Sequence, residues 1–69
     1  MPKYMMFRDS KEIGIVETSE DTMSRLALTA YPYWAFERIH DLEAAPSEYA
    51  TNVLATMKHI IFNKPTASE

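Results

Sequence analysis

A chain of 69 residues with ten acidic and seven basic side chains has a net charge of −3, which argues against a sequence-independent nucleic-acid binder and its basic surface. The chain contains no cysteine, so disulfides are excluded and a cytoplasmic location is expected. Its 46% apolar content predicts one folded domain over residues 1–69, with so small a core that a homodimer would be a natural source of extra stability.

The N-terminal part of the chain predicts a β-hairpin. The segment Lys3–Arg8 holds four consecutive strand-tolerant side chains, and Asp9 with Ser10 opens a polar turn over residues 9–12. Residues 13–18 then alternate as a return strand. Gly14 interrupts that strand, which indicates a bulge or the close approach of another backbone.

The most regular helical pattern follows the hairpin. We expect Thr18 or Ser19 to be its N-cap, and Glu20 and Asp21 place negative charge in the first turn, where the helix dipole favours it. Pro32 ends this helix, because proline removes an amide donor. The apolar residues at helical spacing along one side are Met23, Leu26, Ala27, Ala30 and Tyr31.

Residues 33–43 fit two patterns. As a strand, the segment presents Trp34, Phe36, Arg38 and His40 on one face and Tyr33, Ala35, Glu37 and Ile39 on the other. As a helix beginning at Pro32, it has an apolar stripe of Ala35, Phe36, Ile39 and Leu42. The aromatic content favours the strand.

A second helix is expected from Pro46 or Ser47 through about Phe62, with Asn63 as its C-terminal cap and residues 65–69 as a frayed tail. Its apolar face comprises Ala50, Val53, Leu54, Met57, Ile60 and Ile61. The predicted fold class is therefore α+β in the order ββαβα, a small antiparallel sheet with helices on one face.

No catalytic or metal site is predicted. His40 is followed by Asp41 and Glu43, but adjacent strand residues point to opposite faces, so we expect these side chains to face solvent rather than form a general base. His40 and His59 lack the spacing of metal ligands, and a single glycine cannot build a phosphate loop. We therefore expect a non-enzymatic protein without metal or cofactor.

The candidate binding features are an aromatic run over residues 31–36 and two acidic groups. The first acidic group comprises Glu12, Glu17, Glu20 and Asp21, and the second comprises Glu37, Asp41, Glu43 and Glu48. Trp34 and Phe36 are most simply explained by packing under a helix, which leaves Tyr33 on the opposite face. Tyr, Trp and Arg are enriched at interface hot spots, and clustered acids steer basic partners, although acids also serve solubility. The predicted partner-binding residues are Tyr33, Trp34, Arg38, Glu17, Glu20 and Asp21.

These features predict an inhibitor or adaptor that docks on a larger protein. The alternative is a small dimeric nucleic-acid-binding or transcription-regulatory module, which would require the bases of the hairpin and third strand to share one surface: Lys3, Arg8, Lys11 and Arg38. A third possibility is a structural subunit that self-assembles through its methionine-rich hairpin. No membrane contact is expected, because no apolar run approaches the length of a signal segment or a span.

The order of hairpin, capped helix, proline stop and aromatic strand is similar to that of small phage-encoded proteins that inhibit host enzymes such as RNA polymerase. The similarity is one of architecture and size and includes no shared diagnostic motif. It implies an inhibitor by analogy only.

Overall fold

The structure is a computed structural model that describes residues 1–30 and 32–62. The elements are β1 (Lys3–Arg8), β2 (Lys11–Glu17), α1 (Glu20–Ala30), β3 (Trp34–Ile39) and α2 (Glu48–Phe62). The strands form one antiparallel sheet in the order β2-β1-β3. The predicted α+β class and ββαβα order are confirmed, and residues 33–43 contain a strand rather than a helix. The predictions for Tyr31, Asn63 and residues 65–69 fall outside the described residues.

The hairpin turn is tighter than predicted. Asp9 and Ser10 both have positive φ, 51° and 69°, which is the geometry of a two-residue type I′ turn. Lys11 already pairs with Arg8, so the return strand begins two residues earlier than expected and ends at Glu17. The predicted four-residue turn was wrong because the twist of a type I′ turn lets the two strands pair directly beside it.

A bulge lies beside Gly14, as predicted, but the group that approaches Gly14 closely is a side chain and not the backbone that was expected. The register with β1 shifts between Met6 and Phe7, which leaves Ile13 as an extra residue on β2. Gly14 has a φ of 152°, and a Cβ atom there would lie 2.8 Å from the Cβ of Ser47. The close neighbour is therefore a side chain at the start of α2, which packs directly against β2.

A serine caps each helix. Ser19 Oγ accepts a hydrogen bond from Thr22 N, and Ser47 Oγ accepts one from Ala50 N, each at 3.2 Å. These contacts confirm Ser19, rather than the buried Thr18, as the first N-cap, and Ser47 as the second. Neither helix in the described part of the chain is long and apolar enough to cross a membrane.

Both helices pack on one face of the sheet. The buried core joins side chains of the strands and of both helices: Tyr4, Met6, Val16, Met23, Leu26, Ala50, Leu54 and Met57. Trp34 and Phe36 pack against this core, as predicted. Ile60 was wrongly placed on the buried stripe and is 62% exposed. It lies roughly a quarter turn around α2 from the line through Leu54 and Met57, because successive residues rotate by about 100°.

Within residues 1–30 and 32–62, no helix packs on the other face of the sheet. Its half-buried apolar side chains are Met5, Phe7, Ile15 and Ile39. They lie among charged side chains of the same face, Lys3, Glu12, Glu17 and Glu37. Self-assembly through the hairpin, the third possibility raised by the sequence, would use this uncovered face, which carries Met5.

Candidate docking surface

The six predicted partner-binding residues lie at two ends of β3. Tyr33 and Trp34 stand at its start, whereas Arg38 stands near its finish. Arg38 follows Tyr33 by five positions, which span roughly 17 Å at about 3.3 Å per residue. The aromatic end comprises Thr29, Ala30, Tyr33, Trp34, Met57, Ile60 and Ile61. The acidic end comprises Glu17, Glu20, Asp21, Asp41 and Glu43, with Lys3 and Arg38 among them.

The aromatic end is a groove of about 380 Å³ between the last turn of α1, the start of β3 and the last turns of α2. Met57 is buried, and Trp34 and Ile61 are half-buried against the core. Tyr33 was expected on the face away from Trp34, but it lies just before β3 and lines the same groove as Trp34. Tyr33 and Ile60, which also lines the groove, are 66% and 62% exposed. The groove therefore combines an apolar floor with large apolar side chains that remain open to solvent.

Local structure holds the two aromatic residues in place. α1 stops before Pro32, and the backbone of Tyr33 is fixed because its carbonyl oxygen accepts a hydrogen bond from Asp9 N at 2.9 Å. The guanidinium carbon of Arg8 lies 5.5 Å from the ring centroid of Trp34, within cation–π distance. The hairpin turn and β1 thus position the start of β3.

The acidic end is built from exposed side chains. Arg38 Nη1 donates to Glu20 Oε2 at 3.1 Å, and Arg25 lies 3.7 Å from Asp21 one helical turn away. Glu17 is exposed at the end of β2. Ion pairs this exposed contribute at most about 1 kcal/mol to stability. Their carboxylates are therefore available to attract a basic partner rather than being committed to the fold.

A second concavity, of about 340 Å³, lies at the acidic end and includes His40. Its other polar groups make structural contacts. Lys3 Nζ donates to two backbone carbonyls of the loop after β3, Asp41 Oδ1 accepts from Glu43 N at 2.9 Å, and Arg38 pairs with Glu20. The described residues contain no group of three His, Cys, Asp or Glu side chains that could hold a metal ion.

The four bases of the nucleic-acid alternative do not share one surface. Arg8 and Lys11 face each other beside the hairpin turn. Lys3 lies five residues along β1, roughly 17 Å away at about 3.3 Å per residue. Arg38 is near Lys3 in the sheet but its side chain belongs to the opposite face.

Sequence reasoning missed the exposure of two large apolar side chains. Leu28 is 83% exposed, and Ile60 forms part of the groove. The sequence pattern around each of these two residues does indicate that its side chain is exposed. Leu28 falls outside the stripe of α1, and adjacent isoleucines at 60 and 61 cannot both face a narrow core.

Comparison with known proteins assigns no family to the chain. No protein-family model, curated protein or solved structure matches it.

Proposed function

We propose that this protein is a non-enzymatic binding module, an inhibitor or adaptor, that docks on a larger protein through the aromatic end. The supporting observation is the open groove in which Tyr33 and Ile60 remain mostly exposed beside an apolar floor. Partly exposed aromatic and aliphatic side chains around a concave apolar surface are characteristic of interface anchors. Docking would desolvate them together.

The proposed partner presents apolar side chains to the groove and basic side chains to the acidic end. α1 connects the two, because its first turn carries Glu20 and Asp21 and its last turn lines the groove. Its 11 residues span roughly 16 Å at 1.5 Å per residue. An interface of about 800 Å² per partner is roughly 30 Å across, so one larger protein can cover both ends.

The acidic end contributes to this proposal mainly through the rate of encounter. Exposed carboxylates at an interface rim attract a basic partner before contact but add little to the energy of the final complex. The size and element order shared with phage-encoded inhibitors support the inhibitor form by analogy only. A cytoplasmic setting remains the expectation from the cysteine-free composition.

The proposal is tested by affinity capture from the native host lysate with matched variants. Ile60→Asp places a charge in the groove, whereas Leu42→Asp places the same charge at a site that is 91% exposed and lies at the opposite end of β3. We expect the parent and Leu42→Asp to retain a stoichiometric protein partner that high salt weakens, and Ile60→Asp to lose it. Circular dichroism should show that both variants keep the parent fold.

Two results would contradict docking on a protein through this groove. One is a partner that Ile60→Asp and Leu42→Asp retain equally, because the groove would then play no part in docking. The other is capture of nucleic acid instead of protein, which would favour the alternative of a nucleic-acid-binding module. Turnover of any captured molecule would exclude a purely binding role.

A further inference from the structure

The two edges of the sheet differ in how they are protected. The β2 edge carries the bulge at Ile13, and the backbone N–H of Ser47 donates to Ile15 O at 2.7 Å. β3 pairs with β1 in regular register and contains neither a bulge nor a proline. Among residues 1–30 and 32–62, no backbone hydrogen bond reaches the outer side of β3. A regular edge strand of this kind is open to another strand.

The backbone groups on that outer side follow from the alternation of an antiparallel ladder. Tyr33 O accepts from Asp9 N in the register of the β1–β3 pair, so this is a hydrogen-bonded pair. Every second residue of β3, beginning with Ala35, therefore also directs its N–H and C=O toward β1. The residues whose N–H and C=O point away from β1 are Trp34, Phe36 and Arg38.

We propose that the protein forms a two-fold symmetric dimer in which β3 pairs antiparallel with β3 of a second copy, giving one six-stranded sheet. If the helices of both copies lie on the same face of the joined sheet, a residue whose side chain faces the core must pair with a residue whose side chain also faces the core. Placing Phe36 opposite its own copy also sets Trp34 opposite Arg38, so all three outward-facing residues pair. Three hydrogen-bonded pairs give six N–H···O bonds. A two-residue shift in either direction keeps only two of these pairs within β3.

The side chains fit this register. On the helix side, Trp34 lies opposite Arg38 of the second copy, so an aromatic and a basic residue pair across the two strands. On the other face, Ala35 lies opposite Glu37, so no like charges oppose each other. The antiparallel arrangement also brings the acidic end of each copy beside the aromatic end of the other, where Arg8 lies. A second copy of this chain is therefore the occupant that the edge fits.

The helices leave room for this pairing. Arg25 lies over the Phe62 ring of α2, and Thr29 lines the groove with α2, so this side of α1 faces α2. The opposite side of α1 carries Glu20, Ser24 and Ala27. Two of these side chains are small, which allows the α1 helices of two copies to approach to about 8–10 Å.

Sedimentation velocity over a concentration series tests the edge with two matched proline variants. Arg38→Pro removes an outward N–H from β3 and leaves the β1–β3 ladder intact. Glu17→Pro does the same at the end of β2, because Thr18 N donates to Pro2 O and the neighbouring Glu17 therefore faces outward. Both residues are exposed. We expect dimers for the parent and Glu17→Pro, and at least tenfold weaker association for Arg38→Pro.

Disulfide trapping tests the register independently of the proline variants. The chain lacks cysteine, so Ala35→Cys and Glu37→Cys each introduce a single thiol at an exposed site. In the proposed register, position 35 lies opposite position 37 with a Cα separation of about 4.5 Å, which a disulfide can bridge. Identical positions lie roughly 8 Å apart, too far for a disulfide.

Oxidation should therefore cross-link a mixture of the two cysteine variants and neither variant alone. A parent that stays monomeric at hundreds of micromolar overturns the proposal. So does a dimer that the mixture fails to cross-link, because its interface would then lack the proposed register. Equal association of Arg38→Pro and Glu17→Pro, with both folded, would also exclude the β3 edge.

Discussion

At the aromatic end, apolar side chains line a groove whose rim is held by Arg8 and the hairpin turn, whereas at the acidic end exposed carboxylates pair with Arg38 and Arg25. The two surfaces differ in the range over which they act. Apolar contacts contribute only when water has been displaced, but charges act across about one Debye length, near 8 Å at physiological salt. We therefore expect the aromatic end to govern dissociation and the acidic end to govern association.

The largest expected effect lies in the core that supports both ends. Leu54 is 4% exposed, and Leu54→Ala should lower the free energy of unfolding by roughly 2–4 kcal/mol, which approaches the whole stability of a small domain. Urea denaturation measures this change. Ile60→Ala, on the same helix but exposed, should cost less than about 1 kcal/mol. Equal midpoints for parent and Leu54→Ala would mean that this face of α2 is not core.

The next largest loss of stability is expected at Gly14, where the start of α2 packs closely on β2. Gly14→Ala should destabilise the fold by roughly 1–3 kcal/mol, because the new Cβ would meet Ser47 and Ala50 Cβ atoms at 2.8 and 3.0 Å at a φ of 152°. The control Glu12→Ala, on an exposed site of the same strand, should stay within about 0.5 kcal/mol. A neutral Gly14→Ala would contradict the close packing of α2 on β2.

The elements were predictable because their determinants are local. The serine caps, the proline stop before β3 and the apolar spacing of α1 act within a few residues. The two-residue turn was not predictable, because its residues, Asp9 and Ser10, differ from the Asn-Gly pair that marks type I′ turns. The candidate site was only partly predictable. Tyr33 and Glu20 are close in sequence, yet α1 and β3 carry them to different ends, and Ile60 joins Tyr33 only through tertiary packing.

Binding kinetics should separate the two ends once a partner is identified. Tyr33→Ala removes an anchor from the groove and should raise the dissociation rate by an amount worth about 1–2 kcal/mol, roughly tenfold. Tyr49→Ala is a matched control, because Tyr49 is also 66% exposed but does not line the groove. Surface plasmon resonance measures both rates. Equal dissociation rates for the two tyrosine variants would remove Tyr33 from the interface.

The smallest effect is expected at the acidic end. Reversing Glu20 and Asp21 to Lys should slow association several-fold at low salt and flatten its salt dependence, with little change in dissociation. A loss of a few tenths of a kcal/mol in stability is expected at the helix start. Glu48→Lys makes the same kind of change in the first turn of α2 and should leave association near the parent rate. An unchanged salt dependence in the double variant would argue against steering.

Amide hydrogen exchange of the free protein and of the protein saturated with its partner tests docking through the aromatic end most directly. New protection should fall on the last turn of α1, the start of β3 and the last turns of α2, the three segments that form the groove. The opposite result is protection confined to the uncovered sheet face around Met5, Phe7 and Ile15, with exchange in the groove unchanged. That outcome would contradict docking through Tyr33 and Ile60.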